Sequence, residues 1–263
     1  MPVSLKEQRL AAYFRKIAPR YDLVNTLVSF GLHHYWRHFA VEKADLRAGQ
    51  QVLDVCCGTG LITRDLAQKV GPRGYVVGLD LSPSMLKIAA ENLRELARSH
   101  RIRLVEGNAM ALPFPDHSFD RAVIGYGLRN VADMRQALRE LYRVLKPGGR
   151  LVGLELGKPR NPLLNKLYTL YFATFPPLVG FLMTGEKEPY LYLHRSVQAY
   201  PAPAEVSRIF GETGFTAVHY YELSWGIATV HTGEKPVGPL SAPFTTGPTT
   251  TPSDTRSTRR RER

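Results

Sequence analysis

The residues best placed for chemistry fall in VLDVCCGTG, residues 52–60, where a β-rich run passes into a glycine-rich turn and then a helical pattern. Ligands of open α/β sheets sit at the carboxyl ends of the strands, where glycine lets the backbone approach and a helix N-terminus offers free N–H groups. Gly58 and Gly60 stand at such a place. Their spacing argues against a dinucleotide, because the fingerprint needs G-x-G-x-x-G and Thr63 occupies the third position. Past Gly60, Asp80 ends the next β-rich run, where a carboxylate can accept two hydrogen bonds from a ribose diol. Asn108 and Ala109 follow a third run and offer an amide and a backbone edge to an adenine. Three loops at one end of a sheet thus converge on one ligand. The competing roles are a tight strand-to-helix connection for the glycines and helix capping for Asp80, although Ser82 already serves as N-cap.

Those loops need a sheet to hold them. QVLDV, YVVGLD, IRLVEG, FDRAVIGYG and RLVGLEL are short β-rich runs alternating with segments whose apolar residues recur every three or four positions, the pattern of βαβ units on a parallel sheet. One helix opens at Ser82 with Pro83 in its first turn. Another opens at Asp133, presents Met134, Ala137, Leu138, Leu141 and Leu145 on one side, and stops at Pro147, Gly148 and Gly149. TAVHYYELS and WGIATVH lie close enough to form a hairpin, which brings an antiparallel strand to one edge and the total to seven. The expected fold is α/β, a doubly wound, mostly parallel seven-stranded sheet. Its divisions are a helical N-terminal lid over residues 1–48, a main domain over 49–231 with an insertion at 158–201 as a second lid, and a basic tail over 232–263. That tail holds six Lys or Arg against three Asp or Glu and almost no apolar residues, so disorder is expected there.

Composition narrows the class. With 263 residues and two cysteines, adjacent at Cys56 and Cys57, the chain has no disulfide framework and suits a reducing cytoplasm. MPVSLKEQRLAAYFRK is too charged for a secretory leader. Leu163 to Met183 is apolar but carries Asn165 and Lys166 and is broken by Pro176 and Pro177, so it makes a poor membrane span. The formal charge of +12 favours an anionic partner without choosing among nucleic acid, lipid surface and phosphorylated ligand. No His, Cys and carboxylate spacing suggests a metal site.

The glycine turn, with Asp54 as its acid and Cys56 where a first glycine is usual, resembles the D-x-G-x-G-x-G turn of S-adenosylmethionine-dependent methyltransferases. RKIAPRYDLVNTLVSFGLHHYWRHF, GNAMALPFPDHSFD, IGYGLRNV, LYRVLKPGGRLVGLEL, YLYL and GIATVHTG extend the likeness over Leu10 to Gly233. Together they resemble the ubiquinone and menaquinone biosynthesis C-methyltransferases, and within them most nearly the demethylmenaquinone enzymes. The resemblance implies a class I, Rossmann-like methyltransferase fold and S-adenosylmethionine as methyl donor, with no metal. It also implies methyl transfer to a ring carbon of a polyprenylated quinol, demethylmenaquinol before a benzoquinol. Cofactor positions carry over to Thr59, Asp80, Asn108 and Ala109. Gly125 stands where some relatives have Ser, and Leu61 where Asp is common.

A neutral aromatic carbon is a poor nucleophile, so such a site must align the donor, exclude water and stabilise a developing phenolate. Arg129 and Asn130, after the fourth β-rich run, are the candidates on the acceptor side, since a guanidinium holds an oxyanion without titrating. Tyr21 and His33 from the N-terminal lid are candidates for taking the proton. Glu155 is structural or lines the pocket, His231 is a satisfied sheet residue, and the cysteines fill the turn. The apolar insertion is either a helix buried against the sheet or a wall for a prenyl tail whose edge dips into a bilayer. With the basic body, the second reading places the protein peripherally at the inner face of a membrane, in contact with anionic lipid. A homodimer is compatible with the sequence. An RNA substrate is disfavoured because the basic residues are scattered and no RNA-binding module is present. A non-catalytic scaffold for quinone synthesis is disfavoured by the intact GLRN loop and glycine turn.

Overall fold

A computed structural model describes residues 4–238. Its sheet comprises β1 (Gln51–Val55), β2 (Tyr75–Asp80), β3 (Arg101–Glu106), β4 (Phe119–Gly125), β5 (Leu145–Leu156), β6 (Thr216–Leu223) and β7 (Ala228–Glu234). The spatial order is β3-β2-β1-β4-β5-β7-β6. The first five strands are parallel, and β7 runs antiparallel to both β5 and β6. The expected hairpin is present, but its reversed strand lies one place in from the edge, and β6 is the edge strand. The chain leaves β1 towards β3 and then crosses back to β4. This reversal opens a crevice at the carboxyl ends of β1 and β4, the ordinary ligand position in such sheets.

Strands covered on both faces read as continuous apolar runs. In β1, Leu53 and Val55 join Ile124, Leu138, Leu141 and Phe210 on one side, while Val52 joins Val76, Val123, Val152 and Trp36 on the other. Helix α4 (Leu61–Val70) follows the glycine turn, α5 (Pro83–Leu93) follows β2, and α6 (Met134–Val144) precedes β5. Asp133 caps α6, its Oδ1 accepting Gln136 N–H at 3.0 Å. The helix ends at Val144, short of the expected Pro147, because Leu145 turns extended (φ −72°, ψ 138°) and begins β5. Ser82 does not cap α5 through its hydroxyl, which faces Ser84 Oγ at 2.9 Å.

The N-terminal segment folds as α1 (Leu5–Ile17), a 3-10 turn (Ala18–Arg20), α2 (Tyr21–Val28) and α3 (Leu32–Lys43). A reciprocal pair of bonds between Ser4 and Glu7 opens α1. The insertion forms α7 (Pro162–Thr184) and α8 (Glu188–Ala199), and α9 (Pro203–Thr213) precedes the hairpin. Pro176 and Pro177 do not break α7, which runs unbroken through both. It is long and apolar enough to cross a membrane, by length and composition alone. Nor does it lie buried against the sheet: it packs on α8 and α2, and Leu163, Leu167, Leu170, Leu178, Phe181 and Leu182 are exposed. At its crossing with α8 the Tyr190 ring packs directly on Gly180, where a Cβ would lie 2.0 Å from Tyr190 Cδ2.

The boundary expected at residue 231 falls inside a strand. Thr232 and Gly233 pair with Val152 and Leu151, and Lys235 is buried with its Nζ donating to the carbonyls of Tyr142 (2.7 Å) and Leu145 (2.8 Å) at the end of α6. The remainder of the expected tail, residues 239–263, lies outside the described residues.

Candidate active site

At the crevice the backbone of the glycine turn is held in a left-handed course by Cys56 (φ 59°), Gly58 (φ 55°) and Gly60 (φ 82°). The two glycines serve different ends. A Cβ on Gly60 would meet Leu93 Cδ1 at 2.9 Å, so Gly60 lets α4 pack on α5 and does not line a cavity. A Cβ on Gly58 would touch no protein atom, yet Gly58 lines both cavities of the site, so a side chain there would fill ligand space. Asp80 braces the turn: its Oδ2 accepts Gly58 N–H at 2.8 Å and its Oδ1 accepts Ser82 N–H at 2.9 Å. Burial pushes its carboxyl above the ordinary range, partly offset by those bonds.

The smaller cavity, about 100 Å³, is lined by Gly58, Asp80, Asn108, Ala109 and Gly125, together with Glu7 of α1. Asn108 is already engaged, donating from Nδ2 to Glu7 Oε1 (3.1 Å) and accepting Met110 N–H at Oδ1 (2.9 Å). Asp54 lines neither cavity. It is fully buried beneath the turn, where its Oδ2 accepts Thr63 Oγ1 at 2.6 Å while Oδ1 is unpartnered. Burial raises its pKa to about 7. Asp54 supports the turn from beneath, outside both cavities. A Cβ on Gly125 would meet Ile62 Cδ1 at 2.3 Å, so Ile62 occupies the space that a serine would need.

The larger cavity, about 410 Å³, extends under α2, α3, α7 and α8. Phe14, Tyr21, Cys56, Gly58, Gly125, Tyr126 and Asn130 line both cavities and mark their junction. Thr59 lines the larger one and donates from Oγ1 to Asp22 Oδ1 at 2.9 Å, tying the turn to α2. Arg129 forms a buried ion pair with Glu155, whose Oε1 also accepts Arg129 N–H at 3.1 Å. Burial opposes the guanidinium charge, but Glu155 and the Tyr21 phenol outweigh it and hold its pKa above the ordinary value. Asn130 donates from Nδ2 to Tyr126 O (3.1 Å) and accepts Tyr192 OH at 3.3 Å. Burial raises the pKa of Tyr21, with Arg129 the largest opposing influence.

His33 lines the larger cavity, with Nδ1 2.8 Å from Ser29 Oγ and an unpartnered, buried Nε2. Burial, then the neighbouring His34 and Arg37, lowers its pKa to about 4. His33 thus presents a neutral ring to the cavity. His231 is buried on β7 with Nε2 3.0 Å from Pro203 O. Among the described residues, no group of three or more His, Cys, Asp or Glu side chains could hold a metal ion.

Residues 2–235 match the profile of the ubiE/COQ5 methyltransferase family. The chain belongs to that family. A ubiquinone/menaquinone biosynthesis C-methyltransferase UbiE from Hahella chejuensis is 43% identical over 235 residues, covering 89% of this chain and 94% of the relative. The protein of the same name from Pasteurella multocida is 42% identical over 232 residues, 88% of this chain and 87% of the relative. Among solved structures, a SAM-dependent methyltransferase from Aquifex aeolicus superposes with a TM-score of 0.55 at 19% identity, covering 75% of this chain and 88% of its own. The [4+2]-cyclase SpnF superposes with a TM-score of 0.59 at 21% identity over 90% of this chain and 99% of its own. A cyclase on the same scaffold shows that this fold alone does not fix the reaction. As a ubiE/COQ5 family member, the chain is a methyltransferase.

Several site residues escaped the sequence reading. Glu7, Asp22, Arg37, Tyr126 and Tyr192 line the cavities, and Glu155, expected as structural or pocket-lining, has the structural role of fixing Arg129. Asp22 and Arg37 lie within the same family motif as Tyr21 and His33, and a charged residue on the inward face of an amphipathic helix was the available signal.

Proposed function

We propose that this protein transfers a methyl group from S-adenosylmethionine to a ring carbon of demethylmenaquinol. The observation that carries this reading is the pair of joined cavities. One is small and bordered by a carboxylate and an amide, the other is large and mostly apolar, and they meet at Tyr21, Gly125 and Asn130. The residues fit the cofactor: Gly58 leaves space beside Asp80, where a ribose diol would find its carboxylate, and Asn108 and Ala109 border the adenine side. When bound, S-adenosylmethionine supplies an already activated methyl on its sulfonium.

The chain's own residues then prepare the acceptor. Arg129, oriented by Glu155, offers a fixed positive charge to a hydroxyl oxygen as it takes on phenolate character. Tyr21 and Asn130 border the junction and align the ring, while Phe14, Tyr126 and Tyr168 exclude water. The prenyl chain follows the apolar wall of α7 and α8 towards the exposed leucines of α7. In this reading the enzyme works peripherally, on the cytoplasmic face of an anionic membrane, supported by the exposed leucines of α7 and the +12 charge. The naphthoquinol is preferred on the resemblance to demethylmenaquinone enzymes. Radiolabelled methyl transfer with demethylmenaquinol, the corresponding benzoquinol and RNA offered side by side tests the assignment. Label in the menaquinol fraction is expected, and label in the benzoquinol or RNA fraction alone would contradict it.

A further inference from the structure

Asp22 on α2 and Arg37 on α3 bring opposite charges to the wall of the larger cavity, beside Thr59 and the glycine turn. They are close enough to influence each other's ionisation, yet among the described residues neither enters an ion pair. Among the described residues, Asp22 Oδ1 accepts only the Thr59 hydroxyl, at 2.9 Å. Arg37 is 5% exposed and, among the described residues, has one side-chain partner in His34 Nδ1 at 3.0 Å and keeps a buried Nε without any. The nearby Arg64 and Asp65 pair with each other at 3.3 Å. Arg37 is buried and Asp22 half-buried, Asp65 and Asp22 favour the Arg37 charge without contacting it, and two groups of opposite sign on one wall can be satisfied together by a ligand with an ammonium and a carboxylate on one carbon.

We propose that Asp22 and Arg37 form the subsite for the α-amino-acid end of the methyl donor, Asp22 taking the ammonium and Arg37 the carboxylate. The assignment rests on the S-adenosylmethionine reading above and gives the cofactor a continuous bed. Asp80, Asn108 and Ala109 border the nucleoside, Gly58 lies at the junction of the cavities, and Asp22 and Arg37 stand beyond it. Burial lowers the Arg37 pKa and raises that of Asp22, with Asp65 the largest opposing influence on Arg37 and the Thr59 hydrogen bond on Asp22. Thr59 then acts as a positioning residue, because its hydroxyl fixes the Asp22 carboxylate against the turn.

The test is calorimetric and requires no turnover. S-adenosylhomocysteine, its decarboxylated analogue and 5′-methylthioadenosine, which lacks the whole amino-acid end, are titrated into the full chain and into Asp22→Asn and Arg37→Gln variants. Wild type should bind the decarboxylated analogue about 10- to 100-fold more weakly than S-adenosylhomocysteine, the effect of one lost charge-assisted hydrogen-bond set. Arg37→Gln should lose the same factor for S-adenosylhomocysteine while its affinity for the decarboxylated analogue stays within about twofold of wild type. Asp22→Asn should weaken S-adenosylhomocysteine and spare 5′-methylthioadenosine. Equal losses for all three ligands in either variant would mean a structural role and overturn the proposal. Should a variant fail to fold, the wild-type series decides alone, since equal affinity for S-adenosylhomocysteine and 5′-methylthioadenosine overturns it. If no adenosyl ligand binds wild type, the methyl-donor reading fails and takes the subsite with it. Tight S-adenosylhomocysteine binding without discrimination overturns the subsite only.

Discussion

Arg129 is buried, paired with Glu155, and still on the wall of the larger cavity, an arrangement that makes its charge available without letting it wander. Arg129→Ala should lower turnover by about 10²–10³, the effect of removing one oxyanion donor, and leave cofactor affinity nearly unchanged in calorimetry. Glu155→Gln should act through folding as well, because it strands a buried guanidinium. A loss of about 3–5 kcal/mol in denaturant unfolding is expected. Asp54 gives a different signature. Its carboxyl ionises near 3.8 when unfolded and about 7 when folded, so the native state holds the proton more tightly. Its contribution to stability is complete below pH 3.8 and is lost as pH rises through about 7. Unfolding of Asp54→Asn, measured across that range, should lack this component and show a smaller decline towards neutral pH than wild type.

At the scale of elements, α7 presents two faces with different duties. Tyr168, Phe172, Pro176 and Gly180 recur every four residues and are buried, while Leu163, Leu167, Leu170, Leu178 and Phe181 lie on the opposite side, exposed. Phe181→Asp should therefore weaken binding to anionic liposomes and leave the melting temperature nearly unchanged. Phe172→Asp, at a residue 7% exposed, should lower the melting temperature whatever its effect on liposomes. Liposome binding that ignores Phe181→Asp would remove α7 from the membrane face. The five parallel strands and the hairpin were legible in the sequence, most plainly β1 and β2, whose Val52–Leu53 and Val76–Val77 are apolar because both faces of the central sheet are covered. The continuity of α7 was not legible. Each proline disfavours a helix locally, and the burial of both inside a continuous helix leaves no local trace in the sequence.

At the scale of the molecule, two ends of the chain complete the domain. Truncation after Gly238 keeps every rung of β7 and the buried Lys235, so the melting temperature should hold. Truncation before Thr232 removes three strand residues and the Lys235 bonds to the end of α6, and a fall of several degrees is expected. The N-terminal segment closes the other side through Glu7 on Asn108 and Asp22 on Thr59, contacts that join residues 101 and 37 positions apart. Such pairings leave no local trace in a sequence. That is why the cofactor turn, contained in one nine-residue run, was legible while Glu7, Asp22, Arg37 and the Glu155 partner of Arg129 were not. The central claim is methyl transfer to an electron-rich quinol ring, and one assay reaches it most directly. With S-adenosylmethionine carrying a labelled methyl group, demethylmenaquinone is supplied with and without dithionite. Label should enter the ring only under reduction, when a hydroxyl is present to feed electron density to the carbon, and equal incorporation into the oxidised quinone would contradict the account.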